Sequence, residues 1–267
     1  MEEGIRMVTV KEVEPKDIFL PISGSERYFL FKRIIDFLIA SSLLLILSPF
    51  MAIIALIIFV YSPGPIFFAQ ERVGAKRYRV GKYIHWRTQN FKCYKFRTMK
   101  VNADSSIHQA YIKALIENDQ QEMQAVQEAA TKPRKALTKE QLSALQCAPT
   151  QPRKIVDDAR IIAPGNFLRK FSLDELPQFW NVVIGDMSLV GPRPAIPYEV
   201  EMFKPWHLQR LQAQPGITGL QQVTARNTME FDEQVELDIE YIKKQSLWLD
   251  LKIALKTPLA IFSEKGH

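Results

Sequence analysis

Residues Ile34 to Tyr61 read IIDFLIASSLLLILSPFMAIIALIIFVY, apolar throughout except for Asp36 and a few small hydroxyls. At about 1.5 Å per residue this run is long enough to cross a ~30 Å hydrocarbon core. It does not read as a signal peptide: it begins too far into the chain, it is too long, and no small-residue cleavage site follows. Spanning is the default reading, and two features oppose it. Ser48-Pro49 interrupts the middle, where proline cannot donate to the carbonyl four residues back and Ser48 can satisfy the freed group. Both flanks are basic: Arg27, Lys32 and Arg33 precede the run, and Arg72, Lys76, Arg77, Arg79 and Lys82 follow it. Lys/Arg-rich flanks stay on the cytoplasmic side. A helix that enters, breaks at Ser48-Pro49 and leaves by the same face satisfies both observations, so the segment is predicted to be re-entrant.

The whole chain has 267 residues and a net charge of +6, enough length for a real core and a charge suited to anionic partners. Aromatics are not interleaved with the basic residues as in nucleic-acid modules, so lipid and phosphate are expected rather than nucleic acid. Cys93 and Cys147 form no CxxC, which implies a reduced compartment without a disulfide or zinc framework. The four histidines, His85, His108, His207 and His267, lack metal-ligand spacing, which argues against a zinc hydrolase.

After the apolar run, Pro63-Gly64-Pro65 ends the helix. Alternating runs from Ile66 to Val73 and from Arg77 to Met99 predict two or three small strands, with Gly74 and Gly81 as turn residues. Alternation places Lys95, Arg97 and Met99 on one face of the last strand, which taken alone reads as a solvated basic edge. Asp104 to Ala130 has helical composition and spacing. A Pro/Lys/Arg linker and a second short helix follow, the latter opened by the capping box Thr138-Lys139-Glu140-Gln141. This stretch reads as a surface insertion that shields the site, meets a partner or has no role.

The chemistry concentrates after Arg160. Ser172-Leu173-Asp174-Glu175-Leu176-Pro177-Gln178 sets two adjacent carboxylates where a helix running to Ile184 is expected to begin. Either Asp174 is the N-cap, with Pro177 in the first turn, or Ser172 caps and Glu175 closes a capping box. Both place the acids at the positive end of a helix dipole, which also favours bound phosphate. A lone Asp-Glu pair is ordinarily a capping device; Arg169-Lys170 and Arg193 close by in sequence weigh against so plain a role. Gly191-Pro192-Arg193-Pro194 fixes the backbone on both sides of one arginine and so pre-orders a planar donor fork. Its plainer reading is a rigid turn with an exposed arginine. Gln214 to Gly219 is a turn-rich loop leading to Arg226-Asn227. In the helix from Phe231 to Gln245, Asp238 falls on the apolar stripe of Phe231, Val235 and Ile242; an acid there must be paired or catalytic, and an arginine partner is favoured. The last helix, Ser246 to Phe262, is amphipathic and is expected on the membrane surface, as is the Trp206 segment.

Together these residues resemble the bacterial sugar transferase family, the monotopic phosphoglycosyl transferases that start glycan assembly on polyprenyl phosphate. The resemblance runs from about Lys32 to Phe262. It rests on Lys32-Arg33 with Asp36 and the Ser48-Pro49 break, Ser62 to Pro65, Gln70 to Gly74, Lys95 to Met99, Phe167 to Arg169, Ser172 to Asn181, Gly185 to Pro194, Pro215 to Gly219, Arg226-Asn227 and Asp238 to Tyr241. The chain departs from the family pattern at Ala163-Pro164 and Ala225, in a longer stretch between Met99 and Asp158, and in a longer strand region before Lys95.

The resemblance implies a mostly helical α+β domain with one re-entrant membrane helix, a small antiparallel sheet and amphipathic interfacial helices. The segments would be a cytoplasmic N-terminus (1–31), the re-entrant helix (32–62), strands (63–102), the helical insertion (103–157) and a catalytic core (158–267). It further implies transfer of a sugar-1-phosphate from a UDP-sugar to undecaprenyl phosphate at the cytoplasmic face of the bacterial inner membrane, in the minimal form without extra transmembrane helices. Asp174 would be the nucleophile and Glu175 its partner, with Mg2+ held at this dyad. Lys95, Arg97, Arg169, Arg193, Arg226 and Asp238 would complete the substrate site, and downstream glycosyltransferases would be partners. Two rivals remain. A non-catalytic membrane scaffold of a glycan assembly complex would not need both acids, and a phosphate hydrolase would need a histidine or two-metal base that is not visible.

Overall fold

The computed structural model describes residues 26–80, 83–103, 106–131, 158–224 and 229–263. The apolar run forms one long helix, α1 (Glu26–Tyr61), which starts upstream of the apolar stretch because Tyr28 and Phe29 are already buried. Pro49 lies inside it. The carbonyl that proline cannot bond is that of Leu45, and Ser48 Oγ donates to it at 2.8 Å. Only 11% of the most apolar window is buried, so most of its side chains face outward.

What α1 buries lies in its first turns, at Ala40 and in its last two turns. Lys32 is 9% exposed and pairs with Asp250 at 2.8 Å. Arg33 donates to the carbonyls of Val182 and Val183, and Asp36 accepts from Ser188 Oγ and the Leu189 N–H. At the other end Arg97 donates to the carbonyls of Ser62 and Pro63, the latter at 3.1 Å. Lys32 and Arg33 therefore hold the helix to the body, and of the first flank's cations only Arg27 is exposed.

Strands β1 (Phe67–Val80) and β2 (Tyr83–Phe96) form a long antiparallel hairpin, in register from Phe67 opposite Phe96 to Val80 opposite Tyr83. Gly74 does not turn the chain as expected; it pairs with Gln89 mid-strand, where a Cβ would meet the Phe91 ring at 3.0 Å. Glycine here makes room for an aromatic ring. Gly81 lies outside the described residues.

The described part of the insertion is a helical pair, α2 (Ser106–Glu117) and α3 (Gln120–Thr131). Asn118, at φ 55°, ends the first, and the Asp119 carboxylate accepts from the N–H groups of Gln121 and Glu122 to open the second. Tyr111, Ala114, Met123 and Ala130 give the pair its own core. The capping box at Thr138 lies outside the described residues.

The core after Asp158 is built from short elements: α4 (Gly165–Lys170), α5 (Gln178–Ile184), β3 (Ser188–Val190), α6 (Pro197–Glu201), a 3-10 helix (Pro205–Leu211), β4 (Gly216–Thr218), α7 (Leu220–Thr224), α8 (Phe231–Lys244) and α9 (Leu247–Ser263). β3 and β4 pair in parallel, a second small sheet that the alternation did not announce. Trp206, half-buried, packs with Phe203 against Ile116, Phe231 and Val235. The apolar residues of α9 do project: Trp248, Leu251, Leu255 and Leu259 form one exposed stripe, while Ile253 faces the core.

Candidate active site

The two carboxylates sit on a three-residue 3-10 turn, Leu173–Glu175, not at the start of a continuous helix. Ser172 enters this turn in the left-handed region, at φ 54°, and makes no side-chain cap; neither expected capping arrangement forms. Pro177 is the reason. It occupies the N-cap of α5, so the regular helix starts only at Gln178 and the preceding turn winds separately. Leu173 and Leu176, flanking the acids, pack against a cluster that includes Ile54 and Ile58 of α1, Phe96 of β2 and Leu168 of α4. The acid pair is thereby seated on the second half of the apolar helix. Asp174 is buried to 9% exposure, and Glu175 Oε1 accepts from Lys95 Nζ at 2.7 Å.

Lys95 and Arg97 part company. Lys95 reaches the dyad from the end of β2, whereas the strand stops at Phe96 and Arg97 turns, buried, to the carbonyls that end α1. The expected common basic face is therefore split between the site and the helix anchor.

Arg193 is presented as its flanking prolines suggest. Pro192 and Pro194 are buried and Arg193 is exposed. The loop is held by a second one: Ser188 N–H donates to the Pro215 carbonyl (2.8 Å), Gly191 N–H to that of Thr218 (2.9 Å), and Gly216 N–H to that of Pro192 (2.8 Å). The backbones touch so closely that a Cβ on Gly216 would lie 2.1 Å from the Gly191 nitrogen. The glycines of the two turn-rich motifs thus serve one contact.

Behind this loop lies Arg72 of β1, a residue that pattern reading counted only as a flanking charge and within a motif. It is buried, donates to the Pro194 carbonyl at 2.9 Å and to Gln70 Oε1 at 2.7 Å, and keeps Nε without a hydrogen-bond partner. Burial and then the neighbouring Arg193 charge lower its pKa, with Glu199 and Glu175 acting the other way. Arg72 thus feels the charges of both Arg193 and Glu175, and Glu175 is held by Lys95, a cationic field suited to phosphate oxygens. Gln70 and Arg72 share one strand face, a signal available in the sequence.

Arg169, on α4, is half-buried and has Nη1 buried without a hydrogen-bond partner. Burial would raise the pKa of Asp158, but the hydrogen bonds from Arg160 outweigh it and, with the Arg160 and Arg169 charges, hold it low. Asp238 is buried and pairs with Arg210 at 2.6 Å, the arginine partner that its position on the apolar stripe calls for. Arg226 lies outside the described residues. Asn181, which the sequence offers only as the end of the Ser172 to Asn181 stretch, is fully buried: it accepts from the Tyr94 N–H and donates to the Lys92 carbonyl, fixing α5 to the strand that carries Lys95. His108 of α2 bonds Tyr198 at 2.5 Å, bringing the insertion to α6.

Among the described residues, no group of three or more His, Cys, Asp or Glu side chains forms a metal cage. Magnesium commonly takes one or two carboxylates and completes its shell with water and substrate phosphate. Asp174 and Glu175 fit that partial donor set, with Lys95 sharing Glu175.

The sequence model of the family described as bacterial sugar transferase matches residues 27–264. The chain is 35% identical over 254 residues to the UDP-glucose:undecaprenyl-phosphate glucose-1-phosphate transferase of Escherichia coli (strain K12), covering 92% of this chain and 43% of that protein. It is 35% identical over 235 residues to the undecaprenyl-phosphate galactose phosphotransferase of Salmonella typhimurium, covering 88% of this chain and 41% of that one. Against the exopolysaccharide production protein ExoY of Rhizobium meliloti, identity is 32% over 235 residues, with 88% of this chain and 87% of that protein covered. The chain thus spans less than half the length of the first two relatives and most of the third.

Proposed function

The chain belongs to the bacterial sugar transferase family, and from that premise we propose that it transfers a sugar-1-phosphate from a UDP-sugar to undecaprenyl phosphate, releasing UMP and starting a surface glycan. The observation that carries this reading is the seat of the dyad: Leu173 and Leu176 rest on Ile54 and Ile58 of the apolar helix, so the acids stand beside the element that meets lipid.

In the first half-reaction a carboxylate oxygen of Asp174 attacks the β-phosphorus of the UDP-sugar. The bond from that phosphorus to the bridging oxygen breaks, the electron pair leaves with UMP, and the phosphosugar remains on Asp174. In the second, an oxygen of the lipid phosphate attacks the same phosphorus and the carboxylate is regenerated. Arg193 and Lys95 position phosphate oxygens, and buried Arg72 holds the Pro194 carbonyl and adds charge behind the loop. Mg2+ bound by Asp174 and Glu175 together with the diphosphate would offset negative charge there.

The same reading makes α1 re-entrant and the protein monotopic at the cytoplasmic face of the inner membrane. Support comes from the two anchors of α1. Arg33 ties the first turns to α5, which Asn181 fixes to β2, and Arg97 just past the end of β2 ties the residues that follow the last turn, so both ends are fastened to elements on one strand. The exposed stripe of α9 supports an interfacial position as well. Glycosyltransferases that extend the lipid-linked sugar are the downstream partners.

The test is a UMP-release screen of the full chain against a panel of UDP-sugars with undecaprenyl phosphate and Mg2+. Release with at least one sugar, dependent on the lipid phosphate for multiple turnover, is expected. No release with any sugar from a protein shown to be folded would overturn the assignment.

A further inference from the structure

A pocket of about 240 Å³ opens between the first turns of α1, the hairpin and the junction of α8 with α9. None of Lys95, Asp174, Glu175 or Arg193 lines it, so it is separate from the dyad. We propose that it binds a phosphate group of the kind carried by a membrane lipid headgroup.

Its walls are rich in donors. Lys32, Arg33, Lys76 and Arg77 line it against one carboxylate, Asp36. Several of these charges have partners already: Lys32 has Asp250, Arg33 has two backbone carbonyls, and Lys76 lies 3.8 Å from Asp186. Asp36 is likewise engaged, by Ser188 and the Leu189 N–H. Arg77 is stacked over the Phe29 ring at 4.5 Å.

Two further lining residues point to a ligand. Gln245 is 4% exposed with its Nε2 buried and without a hydrogen-bond partner, and the Trp86 Nε1 is in the same condition. Buried donors without partners are rare and costly, and here two of them belong to residues that line one cavity. Each can donate and neither of these nitrogens can accept, so the missing group is an acceptor. A tetrahedral phosphate takes donors from several directions, which suits a pocket whose donors come from α1, β1, β2 and the end of α8.

The source follows from position. On α1 exposed apolar residues lie on both sides of the lining cations, Leu30 and Phe31 before Lys32 and Ile34, Ile35, Phe37 and Leu38 after Arg33, so the pocket adjoins an apolar surface. A lipid phosphate at that level would enter the pocket while its acyl chains follow the apolar face.

The test uses the full chain in dodecyl maltoside micelles, melted with phosphatidylglycerol, with a phosphate-free galactosyl diacylglycerol, and with sn-glycerol 3-phosphate. Phosphatidylglycerol is expected to raise Tm, and the galactolipid is not. The paired variant Trp86→Phe with Gln245→Met keeps every cation, an aromatic ring at 86 and nearly the side-chain volume at 245, while removing the two donors. It should melt no lower than wild type without lipid, and its apparent Kd for phosphatidylglycerol should rise roughly tenfold or more. A Tm increase with sn-glycerol 3-phosphate that the same variant removes identifies a soluble phosphate as the ligand; an increase with the lipid alone identifies the headgroup. If that variant does not fold, Arg77→Gln, with its exposed side chain, carries the same comparison. No stabilisation by either phosphate-bearing probe, or full stabilisation of the variants, would overturn the proposal, since binding would then be absent or diffuse over a basic surface.

Discussion

Arg193 and Arg72 show how much one residue's surroundings decide. Their charges act on each other, yet one is exposed between buried prolines and the other is buried behind the loop. Replacing Arg193 should therefore touch binding rather than folding. Loss of a charge-assisted bond to phosphate costs about 1.5–3 kcal/mol, or roughly ten- to a hundredfold in kcat/KM. Arg193→Lys is expected to be impaired and Arg193→Ala nearly inactive, with Tm close to wild type in both; unchanged kcat/KM with a much lower Tm would assign the arginine to the scaffold. At this scale the sequence was partly legible. The Asp238 partner and the Arg193 turn follow from spacing and proline. The separation of Arg97 from Lys95 does not, because alternation assumes a strand that continues past Phe96. Asn181 gave no sign either, since its side chain acts as a strand-edge amide only once α5 lies against β2.

Elements were legible where periodicity was strong. α8 and α9 lie within a residue of their expected spans, α1 ends at Tyr61 as expected but starts eight residues before Ile34, and the described part of the insertion is helical as its composition suggests. The dyad turn departs from a capped helix because Pro177 makes the regular helix start only at Gln178, and the β3–β4 pair is too short to carry a pattern. The docking of α2 onto α6 has a pH signature. Burial, reinforced by Arg72 and Arg193 and opposed by Glu199, pushes His108 down from 6.5 to about 4. Between these values a detached or unfolded helix takes up a proton that the docked one refuses, so stability is lost as pH falls through that window and is unaffected above it. The full effect is on the order of 3 kcal/mol. Hydrogen exchange, corrected for intrinsic rates, should show α2 less protected at pH 5 than at pH 7 in wild type and not in His108→Gln; equal protection in wild type would contradict this. The α9 stripe gives a second expectation. Leu255 and Leu259 are 67% and 71% exposed, so changing both to Lys should alter stability by about 0.5 kcal/mol or less per site. Vesicle co-sedimentation should fall clearly in that variant, and undiminished binding would remove α9 from the interface.

The whole molecule is arranged around one idea: an apolar helix fastened at both ends to the body that holds the acids. Lys32, Arg33 and Asp36 fasten the first end, and Arg97 the second. The sequence offered the break at Ser48-Pro49 and basic flanks, but not these bonds, because the partners of Lys32 and Arg33 are more than a hundred residues away in the chain. In a cysteine-free background, Arg27→Cys and Arg87→Cys should be labelled from the same side in intact cells and inverted vesicles; labelling from opposite sides would make α1 a spanning helix. The central claim, that Asp174 carries the sugar-phosphate, has its most direct test in intact-protein mass spectrometry after exposure to a UDP-sugar and Mg2+ without lipid phosphate. Wild type is expected to gain the mass of one phosphosugar, located on the peptide containing Asp174 and discharged by undecaprenyl phosphate, while Asp174→Asn stays unmodified and inactive. An Asp174→Asn enzyme that still turns over, or a wild type that releases UMP without ever carrying the adduct, would contradict it.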